Sequence, residues 1–293
     1  MTPPVTRDEL LPFGAAPRPT SGAEVAERVL AVLRDAAGRD ASGLERARVD
    51  ATLDGADVAV LVVDVTGLAV RVTGRRGDGP STHDALHAED GDQREPATLR
   101  SLRLDAHPVV VEDVPVDVAA VAEGLRFAWA ETSDGRLGVE PVEPDDAHPV
   151  TGHVRVAVPQ DAVVATARRL LTAELATQGL TLTSLDVEIT SRGPRSVAVR
   201  AFARVRKAIL SASIHATLVA DVDERMVLRV REVDLSSRNP VVAALLVAGR
   251  RHVDEVRGRS VDLAGELPAG VRLGDVRLDV GADGTVALTA RFV

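Results

Sequence analysis

From Ala208 to Arg231 the chain alternates apolar and polar side chains with a period of two. Leu210, Ala212, Ile214, Ala216 and Leu218 fall on one side, followed after a turn by Met226, Leu228 and Val230. Successive side chains of an extended strand point to opposite faces, so this pattern predicts antiparallel strands with one apolar and one polar face. The alternation stops at Ser236-Ser237-Arg238-Asn239-Pro240, and an almost purely aliphatic stretch follows. Asn239 suits an N-cap and Pro240 the first helical position, which predicts a helix with Val242, Leu245, Leu246, Gly249, Val253 and Val256 as its stripe. Val241, Ala244 and Ala248 widen that stripe round the back. One-faced strands and a helix apolar on more than one side must together enclose something apolar, either core or lipid.

The same logic orders the rest of the chain. Residues 1–20 are Pro-rich and are expected to be a mobile tail, with Leu10, Leu11 and Phe13 as a small apolar cluster. Ser21 and Glu24 stand at capping-box spacing ahead of a helix running to about Gly38. Strands are predicted at 46–53 and 58–72, the latter apolar on both faces over Val58–Val63. Residues 74–96 read as a long acidic loop, 99–106 and 109–114 as strands, and Asp117 to about Ala122 as a short helical turn closed by Gly124. Leu125, Phe127 and Trp129 share one side of the next strand, and Ser133-Asp134-Gly135 turns it into 137–142. After the linker-like stretch 141–149 come a strand at 153–158 and a helix from about Gln160 to Thr177 with Gly179 as its stop. Val164, Ala167, Leu171 and Leu175 form that helix's stripe, widened by Val163 and Leu170. A meander at 180–190, 195–206, 208–221 and 225–233 precedes the aliphatic helix, and strands at 271–280 and 285–292 close the chain. The expected fold class is therefore α+β, in an N-terminal layer 21–150 and a C-terminal layer 151–293 that together form one continuous domain.

Only 2% of the 293 residues are aromatic: one Trp, four Phe and no Tyr. The interior must be built from Val, Leu, Ile and Ala, a soft lining without the rigid aromatic anchors of most polar ligand pockets. There is no Cys, which excludes disulfides, thiolate ligands and thiol nucleophiles. The net charge of −9 divides unevenly. Residues 151–293 hold 20 basic and 16 acidic side chains, whereas residues 1–150 hold 15 and 28. With this balance and so few aromatics, nucleic-acid binding is not expected, while the more basic C-terminal half suits anionic lipid heads. Met1–Thr20 lacks the basic start and apolar core of a secretory signal, and no run approaches the roughly 18 apolar residues of a membrane span. The expected location is the cytoplasm.

No catalytic or metal motif stands out, and no cofactor is expected. His83, Asp84 and His87, with Glu89 and Asp90 near, have metal-ligand spacing but sit in the acidic loop. His215 shares a polar strand face with Ser211, Ser213 and Thr217 without an elbow motif or partner acid, so an enzyme is not expected. Asp262 and Glu266 lie in a loop before Pro268, where carboxylates cap backbone amides. Arg200, Arg204, Arg206, Arg229 and Arg231 fall on adjacent strands. They form either a solvated face balanced by Asp186, Glu188 and Glu232 or a phosphate-contacting surface.

Four stretches carry a family resemblance: Thr52-Leu-Asp-Gly-Ala-Asp-Val58, Val111-Glu-Asp-Val-Pro-Val-Asp117, the strand-helix-strand from Val154 to Val187, and Val261-Asp-Leu-Ala-Gly-Glu-Leu-Pro-Ala-Gly-Val-Arg-Leu273. In these, and in the order of elements over about 42–293, the chain resembles the LmeA-like phospholipid-binding proteins of actinobacterial envelopes. The resemblance implies a tubular lipid-binding (TULIP-like) fold, curved antiparallel sheets wrapped around long amphipathic helices. It departs from the family in lacking an export signal and in carrying the loop 74–96. The function expected from residues and resemblance together is non-enzymatic binding, or transfer, of a phospholipid or similar amphiphile, with peripheral contact to a membrane. Expected lining residues are Val164, Leu171, Leu175, Leu210, Ile214, Leu218, Leu228, Leu245 and Leu246. The same side chains also suit a closed core, in which case the protein is an interaction or scaffold module; periodicity alone does not separate the two.

Overall fold

Ser21 ends the entry to the first helix as its capping pattern predicts. Its Oγ accepts from Glu24 N at 3.3 Å, and the Glu24 carboxylate accepts from Thr20 N at 2.7 Å. That bond holds the Glu24 carboxyl below its ordinary range. The computed structural model describes residues 9–38, 41–71, 86–87, 93–177, 179–207, 210–237, 260–265 and 271–293. These residues are mostly strand, with two α-helices, and the sheets are largely antiparallel, so the class is α+β. By contacts the chain forms two units, one of Met1–Arg155 with Pro268–Gly274 and Arg291–Val293, the other of Val156–Leu267 with Asp275–Ala290.

In the first unit the elements are β1 (Glu9–Ala15), α1 (Gly22–Ala37), β2 (Ala41–Ser42), β3 (Arg48–Asp54), β4 (Asp57–Asp64), β5 (Ala69–Val70), β6 (Leu86–His87), β7 (Gln93–Val111), β8 (Val114–Glu131) and β9 (Arg136–Pro141). The long β7–β8 hairpin organises them. Its two-residue turn, Glu112-Asp113, takes positive φ at both positions, 51° and 66°, the backbone that matches the twist of paired strands. β4 and β5 join β7 in parallel, β3 pairs with β4, and β9 extends the far half of β8.

Helix α1 lies against β3 so closely that a Cβ on Gly22 would stand 1.9 Å from Ala51 O. Ala26, Val29, Leu30 and Leu33 thereby reach Val49, Val63, Val65 and Ala106. The second core gathers Val58, Ala97, Phe127, Trp129 and Leu137. Trp129 Nε1 donates to Ala56 O at 2.9 Å, and the ring meets Phe127 edge-on at 4.9 Å. The polar tip is thus satisfied while the ring stays dry.

Several expectations change here. Residues 9–15 are not tail: β1 pairs with β9, Leu10 is fully buried, and Phe13 packs on Trp129. Asp117–Ala122 is not a helical turn but the middle of β8, with Ala119 opposite Asp105 and Val121 opposite Arg103. Pairing to a 19-residue strand outweighs the weak helix preference of an Ala-rich hexapeptide. The 58–72 strand breaks after Asp64, and Val60 is 41% exposed, so β4 is not covered on both faces. Of the 74–96 loop, Leu86–His87 and Gln93–Pro96 are strand, and the remainder lies outside the described residues.

Strand β10 (Thr151–Pro159) leads into the second unit. It contains α2 (Gln160–Thr177), β11 (Thr181–Gly193), β12 (Ser196–Lys207), β13 (Leu210–Val222), β14 (Val227–Ser236), β15 (Ser260–Asp262), and most of β16 (Leu273–Val280) and β17 (Thr285–Phe292). β11 to β15 form one antiparallel sheet in chain order, as the meander pattern predicts. Met226 belongs to the β13–β14 turn, at φ 60°, and not to the strand. Strand β16 is tied to the β11–β12 turn: Leu278 N donates to Pro194 O at 2.8 Å, and Arg195 Nη2 donates to Asp275 at 2.9 Å.

Leu137→Ala removes a fully buried side chain beside Trp129 and is expected to cost about 2–5 kcal/mol. The loss is read as a lower urea midpoint in Trp129 fluorescence, a clean reporter because the chain has no other Trp. Arg195 and Arg277 hold the Asp275 carboxyl at about 2, down from 3.8. A depressed folded pKa contributes stability above the unfolded value and loses it as pH falls through the folded one. Asp275→Asn should therefore destabilise the protein near neutral pH, and the gap in unfolding midpoint, followed by circular dichroism, should close between about pH 4 and pH 2. A gap that persists unchanged to pH 2 would contradict the role given to the ion pair.

Candidate functional site

Cross-strand register sorts the meander into two faces. Residues directly opposite one another in an antiparallel pair lie on the same side. On one side the rows read Leu185–Ala203–Ile214, Val187–Ala201–Ala216–Leu235 and Ile189–Val199–Leu218–Val233, continuing to Val222–Leu228–Val261. These rows contain no polar side chain. The face is buried at its ends, at Leu185, Val205, Ala220 and Val222, while its middle rows are half-buried. Burial of this kind leaves apolar area in contact with water across the centre of a four-strand surface.

Helix α2 lies along the edge strand β11. Gln160 Nε2 donates to Val187 O at 3.2 Å and Arg168 Nη2 to Leu185 O at 2.8 Å, so two side chains satisfy carbonyls of the sheet's edge strand. None of the helix is fully buried, and Leu170 and Leu171 are 63% and 41% exposed. A cleft of about 520 Å³ is lined by Val164 together with residues 185–188, 200–202 and 215–217. A second, of about 1240 Å³, runs along α2 past Val164, Arg168, Arg169 and Thr172 to Asp283 and Gly284.

Of the nine expected lining residues, the register brings Ile214, Leu218 and Leu228 onto one apolar face, and Val164 opens onto the cleft beside it. Leu175 is half-buried on α2, whereas Leu171 is largely exposed and lines neither cleft. Leu210 pairs with Lys207 at the start of β13. Leu245 and Leu246, with the whole aliphatic helix, lie outside the described residues. The expected lining omitted Val187, Ala201 and Ala216, although the alternation in β11 and β12 carried the signal for them.

The polar candidates separate in the same way. Asp262 Oδ1 accepts from Ala264 N and Gly265 N at 3.1 and 3.0 Å, the amide-capping role expected of it; Glu266 is outside the described residues. His87 pairs through its backbone with Glu9, and His83, Asp84, Glu89 and Asp90 fall outside. Among the described residues no cluster of His, Asp or Glu has the arrangement of a metal site. His215 is exposed, and its ring meets Phe202 at a tilt of 54° with the centres 4.9 Å apart. Arg200 stands 3.8 Å from Glu188, Arg229 pairs with Asp223 at 3.3 Å, and Arg231 bonds Asp221. The last two partners are turn and strand-end carboxylates, in place of the expected Asp186 and Glu232.

No helix among the described residues is long and apolar enough to cross a membrane. Comparison with known protein families, with curated proteins and with solved structures finds no match to this chain.

Proposed function

We propose that this protein binds a phospholipid or similar amphiphile without transforming it, with an acyl chain laid against the apolar face of the β11–β15 sheet. The observation that carries this reading is the half-buried middle of that face, rows of Ala, Val, Leu and Ile free of any polar side chain. Burying a methylene gains about 0.8 kcal/mol, so one chain of ordinary length is held without a specific polar contact. An aliphatic lining adapts to a flexible chain, which suits an interior with 2% aromatic residues. The resemblance of four stretches to LmeA-like phospholipid-binding proteins points the same way, and under it the two layers form a TULIP-like lipid-binding domain. On this reading the protein is a cytoplasmic carrier that meets membranes only peripherally.

The test is native mass spectrometry of the gently purified protein, followed by organic extraction and lipid analysis of the same sample. An amphiphile at about one per chain is the expected result. Ile214→Asp, which places a charge on the apolar face, should abolish its recovery. Ala216→Phe, which fills the face without adding polarity, should reduce recovery in a protein whose circular dichroism is unchanged. Recovery undiminished in both folded variants would show that the face has been wrongly assigned. Clean apo-protein in a stable oligomer or with a captured partner would instead identify an interaction module with a closed core.

A further inference from the structure

The other face of the same sheet divides into two ends. At one end charges are matched by ion pairs: Arg200 with Glu188 and Arg229 with Asp223. At the other end, Arg204 and Arg206 project from β12 on one side, two residues apart and therefore about 7 Å from each other along the strand. Register sets Ser213 opposite Arg204 and Ser211 opposite Arg206 on β13, and Ser184 and Thr181 opposite the same arginines on β11. Both guanidinium side chains are thus flanked on each side by hydroxyls. The nearest carboxylate by register, Asp186, faces Phe202 one row away. Among the described residues no ion pair reaches Arg204 or Arg206.

A second feature orders this end. The Arg204 guanidinium carbon lies 5.8 Å from the centre of the Phe202 ring, and that ring meets the tilted His215 ring at 4.9 Å. An aromatic face under a guanidinium restricts the head without consuming its donors. Thr183 Oγ1 donates to Arg204 O at 2.9 Å and holds the backbone beneath it.

We propose that Arg204 and Arg206, with the hydroxyls of Ser211 and Ser213, form a binding site for a phosphate group. A guanidinium fork matches two oxygens of a tetrahedral oxyanion, and two forks with intervening hydroxyls supply donors to all its free oxygens. A carboxylate has too few oxygens to use this set. A nucleic-acid strand needs a longer basic track and several stacking rings, and this end offers one half-buried Phe on a chain of net charge −9. The phosphate belongs either to a soluble phosphate ester or to a lipid headgroup. The site is independent of whether the apolar face holds a chain, because the two surfaces are opposite sides of the sheet.

The full-length chain is titrated with glycerol 3-phosphate, followed by calorimetry, and with vesicles of phosphatidylcholine alone or containing phosphatidic acid, followed by flotation. The Arg204→Gln/Arg206→Gln double variant should bind at least about tenfold more weakly. Arg200→Gln/Arg229→Gln, which removes the same charge from ion-paired positions of the same sheet, should stay within about threefold of the unaltered protein. Ser211→Ala/Ser213→Ala should weaken binding without altering net charge. Binding of glycerol 3-phosphate without vesicle capture identifies a soluble ester; capture only by vesicles containing phosphatidic acid identifies a lipid headgroup; either result supports the site. Binding of neither probe, or equal losses in the two arginine double variants, overturns it.

Discussion

Strand register is the constraint on which the second unit depends. A slip of one residue between β12 and β13 would turn Ile214, Ala216 and Leu218 to the charged side and bring Ser213 and His215 onto the apolar one. Three register shifts flank this pairing, two between β11 and β12 and one between β13 and β14, and side chains pin two of them. Thr183, the extra residue of β11, bonds Arg204 O through its hydroxyl; Arg231, the extra residue of β14, bonds Asp221. Bulges held in this way let strands of unequal length keep their apolar sides aligned.

The meander was legible because period-two alternation over long strands has one physical solution. Its four strands lie within a few residues of the positions expected from the pattern, and the N-cap Ser21 and the stop at Gly179 fell where local chemistry placed them. What alternation cannot reveal is which neighbour a strand finds. Asp117-Val-Ala-Ala-Val-Ala122 has no clear period, and it is a strand because β7 runs alongside it for its whole length. β1 was hidden for a similar reason. Its prolines argued for a tail, but Pro12 lies beside an irregularity in the β1–β9 register, where a missing N–H is tolerated. Leu10 then closes over Ala130 and Gly138, a contact that no local signal announces.

The candidate lining shows the same division between local and non-local information. Ile214, Leu218 and Leu228 are legible because each lies within an alternating run. Leu171 was placed in the lining by helical period alone, and period does not say which part of an apolar stripe meets the sheet; here the stripe turns outward at Leu170 and Leu171. The small residues Ala201 and Ala216 carry too little apolar area to stand out as lining in an alternating run. Yet facing alanines lower the surface between flanking rows, and a depression in a sheet is made by the smallest residues on it.

The two faces of the β11–β15 sheet follow from one sequence pattern, but they ask for different partners. Along β12, residues 197, 199, 201, 203 and 205 are Val, Val, Ala, Ala and Val, while 200, 204 and 206 are Arg, with Phe202 between them. An apolar side and a cationic side separated by one strand thickness is the division of an amphiphile itself, a chain that leaves water and a head that carries charge. A single strand thereby offers surface to both chemistries without a pocket built for either. On the proposed reading, discrimination between ligands rests on the few positions that depart from the regular pattern: the alanine pair on one side, and on the other the arginines that have hydroxyls rather than carboxylates as neighbours.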